Sequence, residues 1–471
     1  MPQDRCIWRL PLELWLEIVS HFPRNCWKNS LCNLRRVNKY FFDWATPVIF
    51  NSINIDFTHR GRRPPCELMK HLATYPSLVT SSVLRLTIES VRVVAENDYA
   101  DVDAAWRCFL GFLSKLDNLE TLKWVISMDW DPESHLVGLI KSLILLPKLK
   151  HLDIGIEWVG RTGLKLLPPL HRFQDLYSLR IHCKCSMPPE FWLNELGRAA
   201  QRSPGLSRFE TEVRDPRRTM QPLQAILGNA SRPKLTHLHL STHDPTPHGG
   251  PLDPCLIANL RCLDLTGSPT NTTTQGHSIW AALRNARTCL SSLSVICVEE
   301  ATGNMFDYLR SYSGLSKLKI ARNFSPDDSA GQVFWNEVVP NHKDSLVELD
   351  VSSSYDGPFC YGPLAASAIR KCTSLRKLAL SLGKVDPAWV SGRIGDLRYS
   401  QRAWDLRCWP DVPLILSDLE SLPTPLKELR FHNGYCNLFE DVRPEAAELA
   451  VFDTDWLPSQ AMVTSVPFRG V

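Results

Sequence analysis

A spaced motif of apolar residues recurs along most of this 471-residue chain and limits the folds that it can adopt. The motif is apolar-x-x-apolar-x-apolar, as in Leu149/Leu152/Ile154. Ten copies are clear, and their first residues are Leu119, Leu149, Leu176, Leu206, Leu235, Leu260, Leu290, Leu315, Leu346 and Leu375. The intervals between these residues average about 28 residues, a period typical of repeat proteins. The pattern therefore predicts an array of similar structural units.

Each unit is predicted to contain one helix and one strand. The last two apolar residues of a copy alternate with polar neighbours, which is typical of a short strand with one buried face. Before one copy, Trp106, Phe109, Leu110 and Leu113 have the spacing of an amphipathic helix. Because a single unit cannot bury its apolar face alone, neighbouring units must stack. We therefore predict an α/β solenoid with parallel strands on the concave side and helices on the convex side.

The predicted solenoid covers residues 81–435. A weaker copy at Val83 begins it, and another at Leu426 closes it. Residues 383–425 break the period and are predicted to form an insertion. The array resembles the leucine-rich-repeat superfamily, but its consensus Asn or Cys, eight residues after the first leucine, is matched only at Asn323. The resemblance therefore implies an irregular leucine-rich-repeat-like solenoid.

Residues 5–50 have a different pattern, which predicts a small, all-helical module. Pro11 suits the first turn of a helix, where a missing N–H has no partner to lose. Pro23 and Pro47 are predicted to end the two apolar series, because proline disrupts a helix interior. The apolar residues at helical spacing include Leu10, Leu14, Ile18, Leu34, Val37 and Phe41.

The combined spacing in this module resembles an F-box. The matching stretches are Leu10-Pro11-x-Glu13-Leu14-x-x-x-Ile18, Leu31-x-x-Leu34-Arg35-x-Val37-x-x-x-Phe41 and Ala45-Thr46-Pro47-x-x-Phe50. An F-box followed by irregular repeats is similar to the large F-box families of fungi. The resemblance implies binding to the Skp-type adaptor of cullin–RING ubiquitin ligases. It implies that the adaptor-binding residues are Leu10, Pro11, Leu14, Ile18, Leu34, Val37 and Phe41.

A helical cap on the first repeat is the structural alternative, since solenoids need covered ends. A cap would bury these apolar side chains, whereas an F-box would leave several exposed until a partner covers them. The predicted order is thus the module at 5–50, a linker or cap at 51–80, the solenoid at 81–435, and a tail or cap at 436–471.

Charge and cysteine content narrow the classes of function. The chain has 53 basic and 50 acidic residues, without the basic excess of a nucleic-acid binder. Its most apolar internal run, 136–146, contains Lys141 and is too short to span a bilayer. No secretory signal is predicted, and fifteen cysteines without a disulfide framework indicate reduced thiols. We therefore expect no nucleic-acid partner, no membrane, and a cytoplasmic and/or nuclear location.

Polar residues on the predicted strands are the candidate surface for binding a protein target. Ordinary solvated residues would occupy the same positions, so the pattern names no class of ligand. His237 and His239 share one strand face, but no fixed set of further ligands accompanies them, and no metal site is predicted. The candidate target-binding residues are His237, His239, Glu348, Asp350, Lys377, Glu428 and Arg430.

The expected function is that of a non-catalytic substrate receptor. No phosphate-binding loop, nucleophile elbow or zinc-binding helix motif occurs, so neither catalysis nor a cofactor is expected. The F-box resemblance implies a subunit of an SCF-type (Skp/cullin/F-box) E3 ubiquitin ligase that holds an unidentified protein substrate close to the transferred ubiquitin. The alternatives are a leucine-rich-repeat scaffold or inhibitor-like binding protein without ligase association, and an enzyme with its site in the insertion at 383–425.

Overall fold

The structure is a computed structural model that describes about half of the chain. The described residues are 27–37, 39–58, 70, 73–74, 78–92, 99–126, 133–156, 170–183, 195, 197–213, 234–241, 254–266, 279–296, 302–322, 329–353, 358–382, 426–433 and 448–453. Four predicted adaptor-binding residues lie outside them, namely Leu10, Pro11, Leu14 and Ile18. The predicted insertion at 383–425 also lies outside them.

The chain divides into two compact units, Met1–Leu176 and Tyr177–Val471. In the first unit, four parallel strands lie in sequence order. They are β1 (Ser52–Thr58), β2 (Arg85–Arg92), β3 (Thr121–Ile126) and β4 (His151–Ile156). Its helices are α1 (Trp27–Arg35), α2 (Lys39–Phe50), α3 (Leu78–Ser82), α4 (Tyr99–Leu113) and α5 (Glu133–Ile144), with a 3₁₀ turn at Leu170–Arg172.

The second unit continues the same alternation of strands and helices. Its parallel strands are β5 (Ser178–Cys183), β6 (Arg208–Val213), β7 (His237–Ser241), β8 (Cys262–Thr266), β9 (Ser292–Ile296), β10 (Lys317–Arg322), β11 (Glu348–Ser353), β12 (Lys377–Leu382) and β13 (Glu428–Asn433). A last strand, β14 (Glu448–Asp453), pairs antiparallel with β13. The α/β class and the parallel strands of the prediction are thus confirmed.

Along the chain of the second unit, helices alternate with the strands. They are α6 (Pro254–Ile257), α7 (Ile279–Asn285), α8 (Thr302–Arg310), α9 and α10 (Pro363–Arg370). Helix α9 consists of Ala330–Val333, a π-helical turn at Phe334–Val338 and a last turn at Val339–Asn341. Among the helices of the described ranges, none has the length and apolar character needed to cross a membrane.

The core follows the repeated apolar motif. On β10, Leu318 and Ile320 are buried, and their register partners on β11 are Leu349 and Val351, which are buried as well. The first residue of the same copy, Leu315, is also buried. Each such aliphatic side chain contributes about 2 kcal/mol through burial. The period of the motif therefore aligns one apolar layer from strand to strand.

Backbone hydrogen bonds just before the strands fix this register. The carbonyl of Arg261 accepts the N–H groups of Ser291 (2.8 Å) and Ser292 (3.0 Å) from the next repeat. The carbonyl of Ser291 in turn accepts those of Ser316 (2.9 Å) and Lys317 (3.1 Å). The Ser291 and Ser316 hydroxyls donate to the same two carbonyls, at 3.1 and 2.7 Å. Each repeat thus holds the start of the next strand in a defined position.

Two strands lie in ranges that were predicted to be connecting or terminal segments. The first range was predicted to be a linker or cap, and the second a tail or cap. Strand β1 falls within 51–80, and its Ile53 pairs with Leu86 of β2. Phe50, Ile53 and Ile55 have the spacing of the repeat, so the signal for this strand was present in the sequence. Strand β14 falls within 436–471.

Pro47 does not end the second helix, and that prediction was wrong. Helix α2 contains Pro47 and continues to Phe50. The lost hydrogen bond falls on the carbonyl of Asp43, an exposed residue where water can replace the missing N–H. The Thr46 hydroxyl donates to the preceding carbonyl, that of Phe42, at 2.6 Å.

Candidate functional site

The described part of the predicted adaptor surface lies on α1, α2 and the turn between them. Leu34 is half-buried and packs against the buried cluster that includes Leu31 and Ala45. Val37 is 58% exposed, whereas Phe41 is 1% exposed. The three residues therefore differ in how much of the side chain a partner could contact. Val37 is accessible, Leu34 is partly accessible, and Phe41 belongs to the core.

An arginine and two aromatic rings form a further feature of the helical module. The guanidinium carbon of Arg35 lies 4.6 Å from the ring centroid of Phe42 and 5.1 Å from that of Phe50. These distances fall within the range of cation–π attraction. Phe42 is 37% exposed, although it adjoins the buried Phe41 in sequence. The motif drew attention to Phe41, but Phe42 is the ring that a partner can reach.

Helix α2 is joined directly to the repeats of the first unit. It packs against α3. Asn51, immediately after α2, offers its carbonyl to the N–H groups of Leu84 and Arg85, both at 2.9 Å. This is the same pair of bonds that links successive repeats elsewhere. The backbone bonds that link successive repeats thus begin at the residue that follows α2.

On the polar face of the second unit's sheet, the first and third residues of the strands form two rows. From β6 to β13 the first-residue row is Arg208, His237, Cys262, Ser292, Lys317, Glu348, Lys377 and Glu428. The third-residue row is Glu210, His239, Asp264, Ser294, Lys319, Asp350, Ala379 and Arg430. All seven candidate target-binding residues belong to these rows, Arg430 by its backbone position alone.

Ion pairs join neighbouring strands at one end of this face. They are Lys317 Nζ to Glu348 Oε2 (3.5 Å), Lys319 Nζ to Asp350 Oδ2 (3.0 Å) and Lys377 Nζ to Glu428 Oε2 (2.9 Å). In each pair the amine is more exposed than the carboxylate. Since exposed pairs contribute only about 0–1 kcal/mol each, their main effect is to hold the side chains in place.

A second charged group lies on β5 and β6. Glu210 is almost fully buried and accepts hydrogen bonds from Arg208 Nε and from Arg180 Nε, the latter at 2.7 Å. Two guanidinium groups thus compensate one desolvated carboxylate, as a buried charge requires. Beside it, His182 Nδ1 lies 2.8 Å from Glu212 Oε2. Arg208, Glu210 and Glu212 were absent from the predicted site, although they occupy the polar positions of a recognisable repeat copy.

The two histidines of β7 have separate surroundings. His237 is exposed, and its Nδ1 lies 2.9 Å from the hydroxyl of Thr236. His239 Nδ1 lies 3.8 Å from Asp264 Oδ2 on β8. Within the described ranges, no group of three or more His, Cys, Asp or Glu side chains has an arrangement that would hold a metal ion.

The strongly shifted titratable groups lie in the core of the second unit, away from the polar rows. Burial raises the pKa of the Tyr308 and Tyr312 hydroxyls, and it raises that of the Cys372 thiol to about 12. Burial lowers the pKa of His342 to about 4. The His342 Nδ1 accepts the N–H of Leu315 at 3.3 Å, which connects neighbouring repeats. These groups are built into the packing rather than directed at a ligand.

Comparison with known proteins leaves the family open. No protein-family model matches the chain, and no curated protein matches it significantly. Among solved structures, a crystal structure of a TLR13–ssRNA13 complex aligns with a TM-score of 0.33 and 14% identity. The alignment covers 71% of this chain and 45% of that chain, less than half of the length of that protein. A likeness of this degree assigns no function.

Proposed function

We propose that this chain is a non-catalytic substrate receptor of an SCF-type E3 ubiquitin ligase. In this proposal the helical module binds a Skp-type adaptor, and the polar rows of the repeats hold a protein target. The chain itself makes no bond in the reaction. It shortens the distance between the target and the ubiquitin carried by the ligase, so the rate gain comes from proximity.

The observation that carries the proposal is the exposed Val37 within an F-box-like motif. Exposed aliphatic groups are common singly, but Val37 belongs to the set of residues that the family resemblance assigns to the adaptor. Leu34 remains half-buried, and the exposed ring of Phe42 follows in the next helix. Burial of Val37 and the Phe42 ring by a partner would supply the apolar contact typical of an interface centre.

A pull-down with a purified Skp-type adaptor tests the ligase role. The Val37→Asp variant should reduce adaptor binding about tenfold or more, because it places a charge in an apolar contact. Leu145→Asp is the matched control, since Leu145 is an exposed aliphatic residue outside the motif, and it should bind as the wild type does. Phe41 is unsuitable for this purpose, because a charge at a buried position would unfold the module. Failure of the wild-type chain to bind any such adaptor would exclude the ligase role.

A repeat-built binding protein without ligase association is the second candidate. The burial of Phe41 and the bonds from Asn51 to the β2 repeat favour it, since both are features of a helical cap. This candidate predicts that Val37→Asp leaves all partner binding unchanged and that no adaptor co-purifies with the chain. The same pull-down therefore separates the two candidates.

A further inference from the structure

The first residues of β6 to β10 form a row without a carboxylate in the second unit. Arg208, His237, Cys262, Ser292 and Lys317 are consecutive register partners on five neighbouring strands. With strands about 4.8 Å apart, the four steps of this row span about 19 Å. The row has a permanent cation at each end and only small polar groups or histidine between them. We call it the acid-free row.

The two cations that end the row are exposed and keep unused donors. Arg208 is 54% exposed and binds Glu210 through its Nε, so this contact uses only part of the donors of its guanidinium group. Lys317 is 58% exposed and lies 3.5 Å from Glu348, a loose contact for an ammonium group. Each of the two side chains thus contacts an acid outside the row. Their remaining N–H donors can bind a further acidic group.

The middle of the row is open and lies in the field of both cations. Cys262 and Ser292 are small and half-buried, so they form a shallow floor beside the exposed His237. Burial raises the pKa of the Cys262 thiol, and nearby Asp264 raises it further. A hydrogen bond with Ser291 and the charges of Arg208 and Lys317 act in the opposite direction. Arg208 and Lys317 thus act on the pKa of this thiol in the same direction, and Asp264 acts in the opposite one.

The carboxylates nearest the row are those of Glu210, Asp264 and Glu348, and each lies close to a basic side chain. Glu210 is buried beneath Arg180 and Arg208, so its charge is already compensated. Asp264 lies in the third-residue row, with His239 Nδ1 at 3.8 Å. A carboxylate bound at either end of the row would share a cation with an acid of the chain, namely Glu210 at Arg208 and Glu348 at Lys317.

We infer that the acid-free row binds an extended segment of a partner protein with two acidic side chains about six residues apart, on the same face of the segment. A strand-like peptide advances about 3.3 Å per residue, so the span of about 19 Å corresponds to about six residues. Because side chains of an extended segment alternate between its two faces, an even separation of about six places both acidic groups on the face toward the row. The inference rests on the proposed function in that the segment belongs to the recruited target.

A nucleic acid fits this row less well than a peptide. Its backbone carries a negative charge on every nucleotide, whereas the row offers cations only at its ends. A backbone that continued past Lys317 would meet Glu348 on the next strand. A peptide with one carboxylate at each end of the row places a single negative charge near Glu348, fewer than a continuing nucleic-acid backbone would.

The test is binding of a defined peptide to the full chain, followed by fluorescence anisotropy. The probe is a rhodamine-labelled nonapeptide of serine and glycine with glutamates at its second and eighth positions, about six residues apart. It should bind saturably, and its affinity should fall as salt is raised. Peptides with glutamine at both positions, or with the two glutamates adjacent, should bind more weakly. Lack of saturable binding at millimolar concentration, or tighter binding of a single-stranded oligonucleotide that displaces the peptide, would overturn the inference.

Matched variants locate the binding on the row. Arg208→Gln and Lys317→Gln should each weaken peptide binding about fivefold, the effect expected for one exposed charge contact. Lys377→Gln is the control, because Lys377 is as exposed as these cations but lies between Glu348 and Glu428. An equal loss with Lys377→Gln would contradict the assignment to the row. The adaptor pull-down uses the helical module instead, so failure of the ligase role and failure of this inference are seen separately.

Discussion

The amine of Lys319 on β10 lies 3.0 Å from the carboxylate of Asp350 on β11, and the two residues are register partners. Asp350 is the less exposed of the two. Loss of Lys319 therefore leaves a partly desolvated carboxylate behind, whereas loss of Asp350 leaves an amine that water can reach. The two charges are equal in magnitude, but the cost of removing the partner is expected to be larger for Asp350 than for Lys319.

Breaking this pair should reveal the asymmetry. Lys319→Gln should lower the free energy of unfolding by about 1 kcal/mol, and Asp350→Asn by less, because the charge left by the first change is the less exposed one. Urea unfolding at low and high salt measures both. A double-mutant cycle should give a coupling of about 0.5 kcal/mol that shrinks at high salt. A larger loss for Asp350→Asn would show that the carboxylate is stabilised mainly by other groups.

Glu210 should contribute more to stability than its neighbour Glu212. Glu210→Gln removes the charge that two guanidinium groups surround, and we expect a loss of about 1–2 kcal/mol in the free energy of unfolding. Glu212 is half-exposed beside His182, so Glu212→Gln should change it by less than about 0.5 kcal/mol. Chemical denaturation of the two isosteric variants compares them directly. Similar losses would mean that burial of Glu210 does not set its contribution.

The sequence predicts the buried apolar residues of the repeats better than it predicts the ion pairs between their strands. Leu349 and Val351 were assigned to the core because the apolar spacing repeats in every unit, and a repeated pattern requires no knowledge of the loops. The same alignment places Lys319 opposite Asp350, since each lies between the last two apolar residues of its copy. The contact between the two side chains was not predictable, because it depends on the rotamers of flexible side chains and not on the spacing.

The helical module shows a second limit of the sequence pattern. Leu34, Val37 and Phe41 have helical spacing, which predicts one shared face. In the structure α1 ends at Arg35, and the N–H groups of Arg36 and Val37 bond back three residues to Asn33 and Leu34, each at 3.0 Å. This turn separates Val37 from the face of α2, so Val37 is exposed while Phe41 is buried. Spacing alone does not show where a helix stops.

Two glycines offer a matched test of packing on the helix side. A Cβ added at Gly331 in α9 would lie 2.4 Å from the Cβ of Pro358, so Gly331→Ala forces the helix and the Pro358 segment apart. We expect a loss of about 1–3 kcal/mol, the usual cost of overpacking.

Gly303 in α8 is the control for this substitution. No atom lies within 4 Å of a Cβ added there, so Gly303→Ala should stabilise the chain by about 0.5–1 kcal/mol through helix propensity. Thermal unfolding of both variants gives the comparison. If Gly331→Ala also raised the melting temperature, close packing against Pro358 would be refuted.

The stability of the second unit should fall as the pH drops from about 6.5 to about 4, and His342 should account for a defined part of the loss. Burial lowers the pKa of His342 from 6.5 to about 4, so in this range the unfolded chain takes up a proton that the folded chain excludes. The contribution of His342 is complete above pH 6.5, diminishes as the pH falls, and changes no further below about 4. A shift of this size corresponds to about 3 kcal/mol.

His342→Gln retains an acceptor for the Leu315 N–H but does not titrate, so the wild type should lose about that much more stability than the variant between these pH values. Urea unfolding at a series of pH values measures the difference, and parallel curves for the two proteins would show that His342 is not excluded from water.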